Sequence, residues 1–354
     1  MSGSIRYQVD AMPQLFDPNA LPPQFFIVGA PRCGTTALST YLAEHPQVCF
    51  SEPKEPHYFT FLRDAALAAG ASDDPESLAR RLVTEYFPRF FPHWDGAGML
   101  GDGSVSYLYS PPALSRILSV QSDARFIVML RNPLDMLPSY HAQLLYTMDE
   151  DVTDFATAWR LQEARAEGRD LPADCRSPDV LRYRGVGSLG HHLEEMLDVT
   201  GREPVHIVVY DDFRADPADT YRQVLSFLDL ADDGRREFPR VKASRRYRSR
   251  RLHRLLKRPP NSILRLAAGD KDKKAEEVDW ARMGKRMQAI RAVRSKVMAL
   301  NRAPYERPPL DPAFRRELAE TFMPDIDRLS EILGRDLSHW YAADAGPETI
   351  AKAG

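Results

Sequence analysis

The sequence predicts an α/β fold of three layers, a central parallel sheet flanked by helices. Three observations predict it. Apolar runs of strand length recur at QFFIVG (24–29), RFIVML (125–130) and VHIVVY (205–210). Stretches with helical period follow them. The first run also opens into a glycine-bearing loop that leads directly into a helical pattern, and α/β sheets bind ligands at such junctions.

Taken in order, residues 1–23 lack periodicity, end in Leu-Pro-Pro and read as an extended lead-in. QFFIVG is too short for a helix and rich in aromatic and β-branched residues, which suits a buried strand. Leu38, Tyr41 and Leu42 then fall at i, i+3 and i+4, a helical stripe that stops at His45-Pro46. GMLGD is a shorter strand candidate ending at Asp102, while RFIVML runs into Arg131-Asn132-Pro133 and VHIVVY into Asp211-Asp212, so Gly29–Thr36, Arg131 and Asp102 are expected to converge on one crevice at the strand ends. From Pro217, Tyr221, Val224, Leu225 and Leu228 share one helical face. Residues 312–340 read as helical, with Phe314, Leu318 and Phe322 on one face and Ile326, Leu329 and Leu333 resuming the pattern. Pro324 between them is expected to kink or divide the helix. Residues 60–98 and 147–187 are elaborations between elements. With no repeat and no linker to cut at, a single domain is expected over 24–340, followed by a tail at 341–354.

Composition narrows the function classes. Apolar content of 43%, charged content of 28% and a net charge of −2 describe a globular chain with no global pull toward nucleic acid or membrane. The three cysteines, Cys33, Cys49 and Cys175, form neither a disulfide framework nor a metal pair. No basic-then-apolar leader opens the chain, and its apolar runs fall far short of the roughly 20 residues a transmembrane helix needs. A cytoplasmic protein is expected. His141, His191, His192 and His253 show no partner at metal-ligand spacing, so no metal is assigned.

The chemistry concentrates in VGAPRCGTTAL. Gly29 and Gly34 stand at the G-x-x-x-x-G spacing of a P-loop and Thr36 fills its Ser/Thr place, but Thr35 sits where the lysine of an ATP-binding loop belongs. The cation lies upstream, at Arg32. A helix N-terminus still presents unpaired N–H groups and a positive dipole end to an anion, and two threonine hydroxyls add donors. RFIVML ends in arginine where an ordinary ATPase or kinase would carry the acid that holds Mg²⁺, which argues against that class. Arg131, closing a strand, reads either as a guanidinium fork for a phosphate or as a structural salt bridge at the strand end.

These segments together resemble the sulfotransferases that use 3′-phosphoadenosine 5′-phosphosulfate (PAPS), on a P-loop-like fold. VGAPRCGTTALSTYLAEHP is similar to their 5′-phosphosulfate loop, MLRNPLDMLPSY to their 3′-phosphate segment, KEPHYF (54–59) to the segment bearing the catalytic glutamate in the heparan-sulfate-like branch, and EILGRDLSHW (331–340) to their C-terminal end. The resemblance implies that Arg32, Cys33, Gly34, Thr35, Thr36 and Ala37 hold the phosphosulfate and that Arg131 and Ser139 clamp the 3′-phosphate. Glu55 is implied as the base that deprotonates an acceptor hydroxyl, with His57 its rival and Glu52 a weaker one. Arg32 would meet the charge on the leaving oxygen. It replaces the family's usual lysine, binding sulfonate and phosphate oxygens bidentately while staying protonated. A second lysine that some relatives carry after the strand near Asp102 has no match in GDGSVSYLYSP, and Lys54 is the available substitute.

The stretch 241–258 carries nine Lys/Arg and no acid. Alone it reads as an anion-binding surface or a solvated helix face; under the resemblance it folds over the donor's 3′-phosphate and adenine, with Arg245 and Arg246 as contacts. The acceptor is a small-molecule, lipid or carbohydrate alcohol, and no metal is required. Two other classes stay open: a kinase-like phosphotransferase using Mg·ATP, and a non-enzymatic anion- or nucleic-acid-binding module.

Overall fold

The computed structural model describes residues 17, 20–61, 74–239, 245–257, 285–304 and 309–342. Most of the expected lead-in and tail, residues 62–73, and 241–244 and 258 of the basic stretch lie outside them.

By its contacts the chain divides into two compact units. The first comprises the described residues of 1–137, 184–242 and 311–354, the second those of 138–183 and 243–310. The sequence offers no linker at these crossings because two of them fall inside helices, within Pro133–Thr147 and within Tyr183–Gly187.

The first unit holds a parallel sheet of β1 (Gln24–Gly29), β2 (Val48–Phe50), β3 (Met99–Asp102), β4 (Arg125–Leu130) and β5 (Val205–Val209), ordered β2-β3-β1-β4-β5. The expected strands are present. Tyr210 leaves VHIVVY to begin a helix, and the three-residue edge strand β2 carries too short a run to read from sequence. β1 is buried along its whole length, as befits a central strand covered on both faces. Phe26 pairs with Asp102 on one side and Phe126 on the other, and Leu130 pairs with Val209. Parallel pairing, with one register shift between β1 and β4 at Ile27–Gly29, delivers the segments after all five strands to one carboxyl edge.

Seven helices matter to that edge or its support: α1 (Thr35–Ala43), α2 (Pro111–Val120), α3 (Pro133–Thr147), α4 (Leu189–Thr200), α5 (Tyr210–Ala215), α6 (Pro217–Phe227) and α7 (Pro312–Leu333). In α1 the predicted stripe of Leu38, Tyr41 and Leu42 is buried. α7 starts where Asp311 accepts from the backbone N–H groups of Ala313 and Phe314, and stops at left-handed Gly334. It buries Phe314, Leu318, Phe322, Ile326 and Leu329 and runs through Pro324 undivided. The next residue, Asp325, accepts from the backbone N–H groups of Gly190 and His191 at 2.8 and 2.9 Å. It thereby caps α4, and the packing of α4 against α7 holds the helix across its proline. Beyond Gly334, buried Trp340 closes the sheet edge: its carbonyl accepts from Asn132 Nδ2 at 2.8 Å and its indole N–H donates to Asp211 at 3.0 Å.

The second unit contains the later turns of α3, short helices at Phe155–Arg160 and Gln162–Ala166, and an antiparallel pair of Arg245–Tyr247 with Arg302–Pro304. Helices Arg250–Lys257 and Lys285–Leu300 also belong to it. Among the described residues no helix is long and apolar enough to cross a membrane.

Candidate active site

The loop after β1 is shaped by two left-handed residues, Arg32 (φ 67°) and Gly34 (φ 95°). Gly34 is the N-cap of α1 and supplies no side-chain cap, so the first-turn N–H groups of Thr35 and Thr36 have no intrahelical acceptor. A Cβ on Gly34 would lie 3.2 Å from Met129 and Tyr210 and 3.3 Å from Phe213. Gly34→Ala is therefore expected to cost about 1–2 kcal/mol from the left-handed backbone alone, read as a lower thermal midpoint with the helix intact by circular dichroism. Cys33 is fully buried with its thiol on the Pro31 carbonyl, and burial pushes that thiol up to about 12 against the charges of Arg131 and Arg32. Only its backbone can meet a ligand.

Arg131 lies beside this loop. Its guanidinium donates to the Arg32 carbonyl at 3.3 Å and stacks over the Tyr210 ring, 4.6 Å from the centroid. Ser139 is buried on α3, and Arg245 and Arg246 sit in the first strand of the antiparallel pair. All three belong to the second unit, whereas the first alone brings together Arg32–Ala37, Glu55, His57 and Arg131.

KEPHYF follows β2 and reaches the same edge. Lys54 Nζ donates to Glu55 Oε1 at 2.9 Å and to Thr35 Oγ1 at 3.3 Å, so one ammonium touches both the carboxylate and the first residue of α1. His57 Nε2 lies 3.5 Å from Glu55 Oε2, and its Nδ1 is 2.7 Å from Ser106 Oγ, which is itself 2.9 Å from Thr60 Oγ1. A carboxylate only accepts, so the Nε2 proton faces Glu55 and, in the neutral ring, Nδ1 takes the Ser106 hydroxyl proton. Burial alone would raise the Glu55 carboxyl. The hydrogen bond from His57, together with the charge and hydrogen bond of Lys54, outweighs it and holds the group down to about 2.

Asp102, placed by the sequence among groups converging on the crevice, points inward instead. It is buried, with Oδ2 accepting from Tyr86 and Tyr107 at 2.7 and 3.0 Å and Oδ1 accepting from the Ser104 N–H at 2.8 Å. Its part is support: Ser104 Oγ accepts the backbone N–H of His57 at 2.8 Å, which holds that residue at φ 54°.

The histidines need one correction. His191 and His192 do have a partner, Glu195, one helical turn along α4, and the three offer ligand atoms within 4.8 Å of one another. Glu195 pairs with His192 at 3.3 Å and His191 at 3.6 Å, and His192 Nε2 is taken by the Gly185 carbonyl at 3.0 Å. Spacing at i+3 and i+4 was the available signal.

Comparison with known proteins gives a consistent picture. Residues 23–234 match the model of a family described as the sulfotransferase family. Carbohydrate sulfotransferase 15 of Mus musculus is 27% identical over 256 residues, covering 59% of this chain and 44% of that protein. Heparan sulfate glucosamine 3-O-sulfotransferase 6 of Mus musculus is 32% identical over 123 residues, 35% of this chain and 31% of that one. The chain thus spans less than half the length of these relatives. A solved sulfotransferase from Alicyclobacillus acidocaldarius superposes with a TM-score of 0.57 at 24% identity, covering 91% of this chain and all of that one, and it shares the fold.

Proposed function

The chain belongs to the sulfotransferase family, and we propose that it moves the sulfuryl group of PAPS to a hydroxyl of a carbohydrate acceptor. The observation that carries this reading is the span of a single side chain: Lys54 joins the Glu55 carboxylate to the open N-terminus of α1. A base and an anion-binding loop one ammonium apart suit transfer of a charged group to an alcohol. The carbohydrate class rests on relatives whose names specify carbohydrate and heparan sulfate acceptors.

The loop from Arg32 to Ala37 would receive the phosphosulfate on the N–H groups and hydroxyls of Thr35 and Thr36. Glu55 takes the acceptor's proton as the alcohol oxygen bonds to sulfur. The bond from sulfur to the bridging oxygen breaks, and its electron pair leaves with the 5′-phosphate. Arg32 and the dipole of α1 meet that charge in a fixed arrangement. The products are a sulfate ester and adenosine 3′,5′-bisphosphate. Glu55 suits the base role better than His57, whose Nε2 proton already faces the carboxylate and whose Nδ1 is engaged by Ser106.

Transfer of label from ³⁵S-PAPS to a panel of oligosaccharide, lipid and small-molecule alcohols tests the reading, alongside calorimetry with adenosine 3′,5′-bisphosphate and with Mg·ATP. Sulfated oligosaccharide is expected; tight binding of Mg·ATP alone would reject the donor. Arg131→Ala should weaken PAPS binding by about tenfold, the loss of a charge-assisted contact, and should weaken an analogue lacking the 3′-phosphate less. Equal losses would remove Arg131 from the 3′-phosphate.

A further inference from the structure

Lys54 does more than substitute for a missing lysine. Its backbone carbonyl accepts from Ser51 Oγ and from the Gly103 N–H, both at 3.0 Å, which anchors the base of the side chain at the sheet edge. Its aliphatic stem crosses directly over Gly103. A Cβ there would lie 2.7 Å from Lys54 Cε and 3.2 Å from Cγ, so the residue after Asp102 must be glycine for the stem to take this path. At the tip, the ammonium is shared between an anion, Glu55, and a neutral hydroxyl, Thr35. The hydroxyl belongs to the uncapped first turn of α1, where a second anion is expected to sit.

An ammonium that touches Glu55 on one side and, on the other, the helix turn where an anion is expected is a cation whose partner can change when that anion binds. Resting on the donor reading above, we propose that Lys54 is handed over: it pairs with Glu55 in the free protein and turns to the donor's phosphosulfate when that group enters the loop. The same movement frees Oε1 of Glu55 to accept the acceptor's proton. Lys54 thus joins the groups that touch the donor and also makes the strength of the base conditional on donor binding. In the free protein Glu55 is held down to about 2, too acidic for efficient proton abstraction near neutral pH. Withdrawing the lysine's charge and hydrogen bond relaxes it upward. Gly103 provides the clearance the stem requires.

Handover has a signature that a fixed clamp lacks. The donor must take Lys54 from Glu55, so removing the carboxylate's charge should tighten donor binding only while Lys54 is present. The test is calorimetry with adenosine 3′,5′-bisphosphate on the intact protein and on Glu55→Gln, Lys54→Met and the double variant. Glu55→Gln should bind about fivefold tighter than the parent, the range of one partly exposed ion pair, and should gain less than twofold in the Lys54→Met background. Simple repulsion between Glu55 and the ligand predicts the reverse, an equal or larger gain once the screening lysine is gone, and that result would overturn the handover. Should Lys54→Met fail to fold by its thermal midpoint, Lys54→Gln carries the same comparison. Binding by no protein, the parent included, would overturn the donor assignment itself, whereas binding without coupling would overturn only the handover.

Discussion

Replacing Glu55 by glutamine is expected to lower turnover by about 10²-fold or more, the usual worth of a general base, while donor binding does not weaken. Steady-state rates at saturating PAPS and calorimetry on the same preparations check the two halves. The substitution keeps the shape of the side chain and one acceptor oxygen for Lys54, while the amide NH₂ in place of Oε2 can face His57 Nε2 in its other tautomer, so loss of structure does not account for loss of rate. Near-normal turnover would reject Glu55. The pH dependence follows from the same contacts. The Glu55 carboxyl is held down to about 2, below its ordinary value of about 4.3. The ion pair's contribution to stability is thus complete above about pH 4.3 and lost as pH falls toward about 2. It follows that kcat/KM for the donor, which reports the free protein, should show no acid limb from Glu55 above about pH 4. Lys54→Met should bring that limb upward toward the ordinary carboxylate range, and an unchanged limb would show that Lys54 does not govern the base.

Much of this site was legible because it is built from contiguous segments. The strand, glycine loop and helix of residues 24–43 form a local pattern, and KEPHYF places Lys54, Glu55 and His57 within four residues of one another. Harder to read were features that depend on which strands are neighbours. β3 lies between β2 and β1, and that places Gly103 under the Lys54 stem and Ser106 against His57. Nothing in GDGSVSYLYSP announces either role. Asp102 was misjudged for a related reason: its inward turn depends on Tyr86 and Tyr107. Tyr86 lies in the π-helical turn Leu82–Tyr86, within an aromatic stretch that follows no decodable pattern. The division into two units was hidden because its boundaries run through helices.

Arg165→Met is expected to destabilise the second unit by about 3–5 kcal/mol, the cost of stranding a buried charge. In sequence, RLQEARAEGRD is only part of the elaboration at 147–187. In the fold the Arg165 side chain is 1% exposed and that of Glu150 is fully buried. The guanidinium grips both carboxylate oxygens, at 2.6 and 2.8 Å, and its Nε donates to the Asp170 carbonyl at 3.2 Å. The remaining acceptor capacity of Glu150 is filled by the Tyr183 hydroxyl at 2.7 Å and the N–H groups of Asp151 and Val152 at 2.8 and 2.9 Å. Removing the arginine leaves a buried carboxylate with three neutral donors and no countercharge. Replacing both residues by methionine should cost less than Arg165→Met alone, because the pair's desolvation penalty goes with it. Burial would raise the Glu150 carboxyl, but the Arg165 hydrogen bond, the Val152 N–H and Tyr183 together hold it below its ordinary value. The pair's contribution is therefore present above about pH 4.3 and declines below it. Thermal midpoints of the parent and of Arg165→Met should accordingly converge as pH falls from about 5 toward 3, with hydrogen exchange rising in residues 150–183 of the variant at neutral pH. A difference below about 1 kcal/mol at neutral pH, the worth of an exposed pair, would show that Glu150 and Arg165 do not hold this unit together.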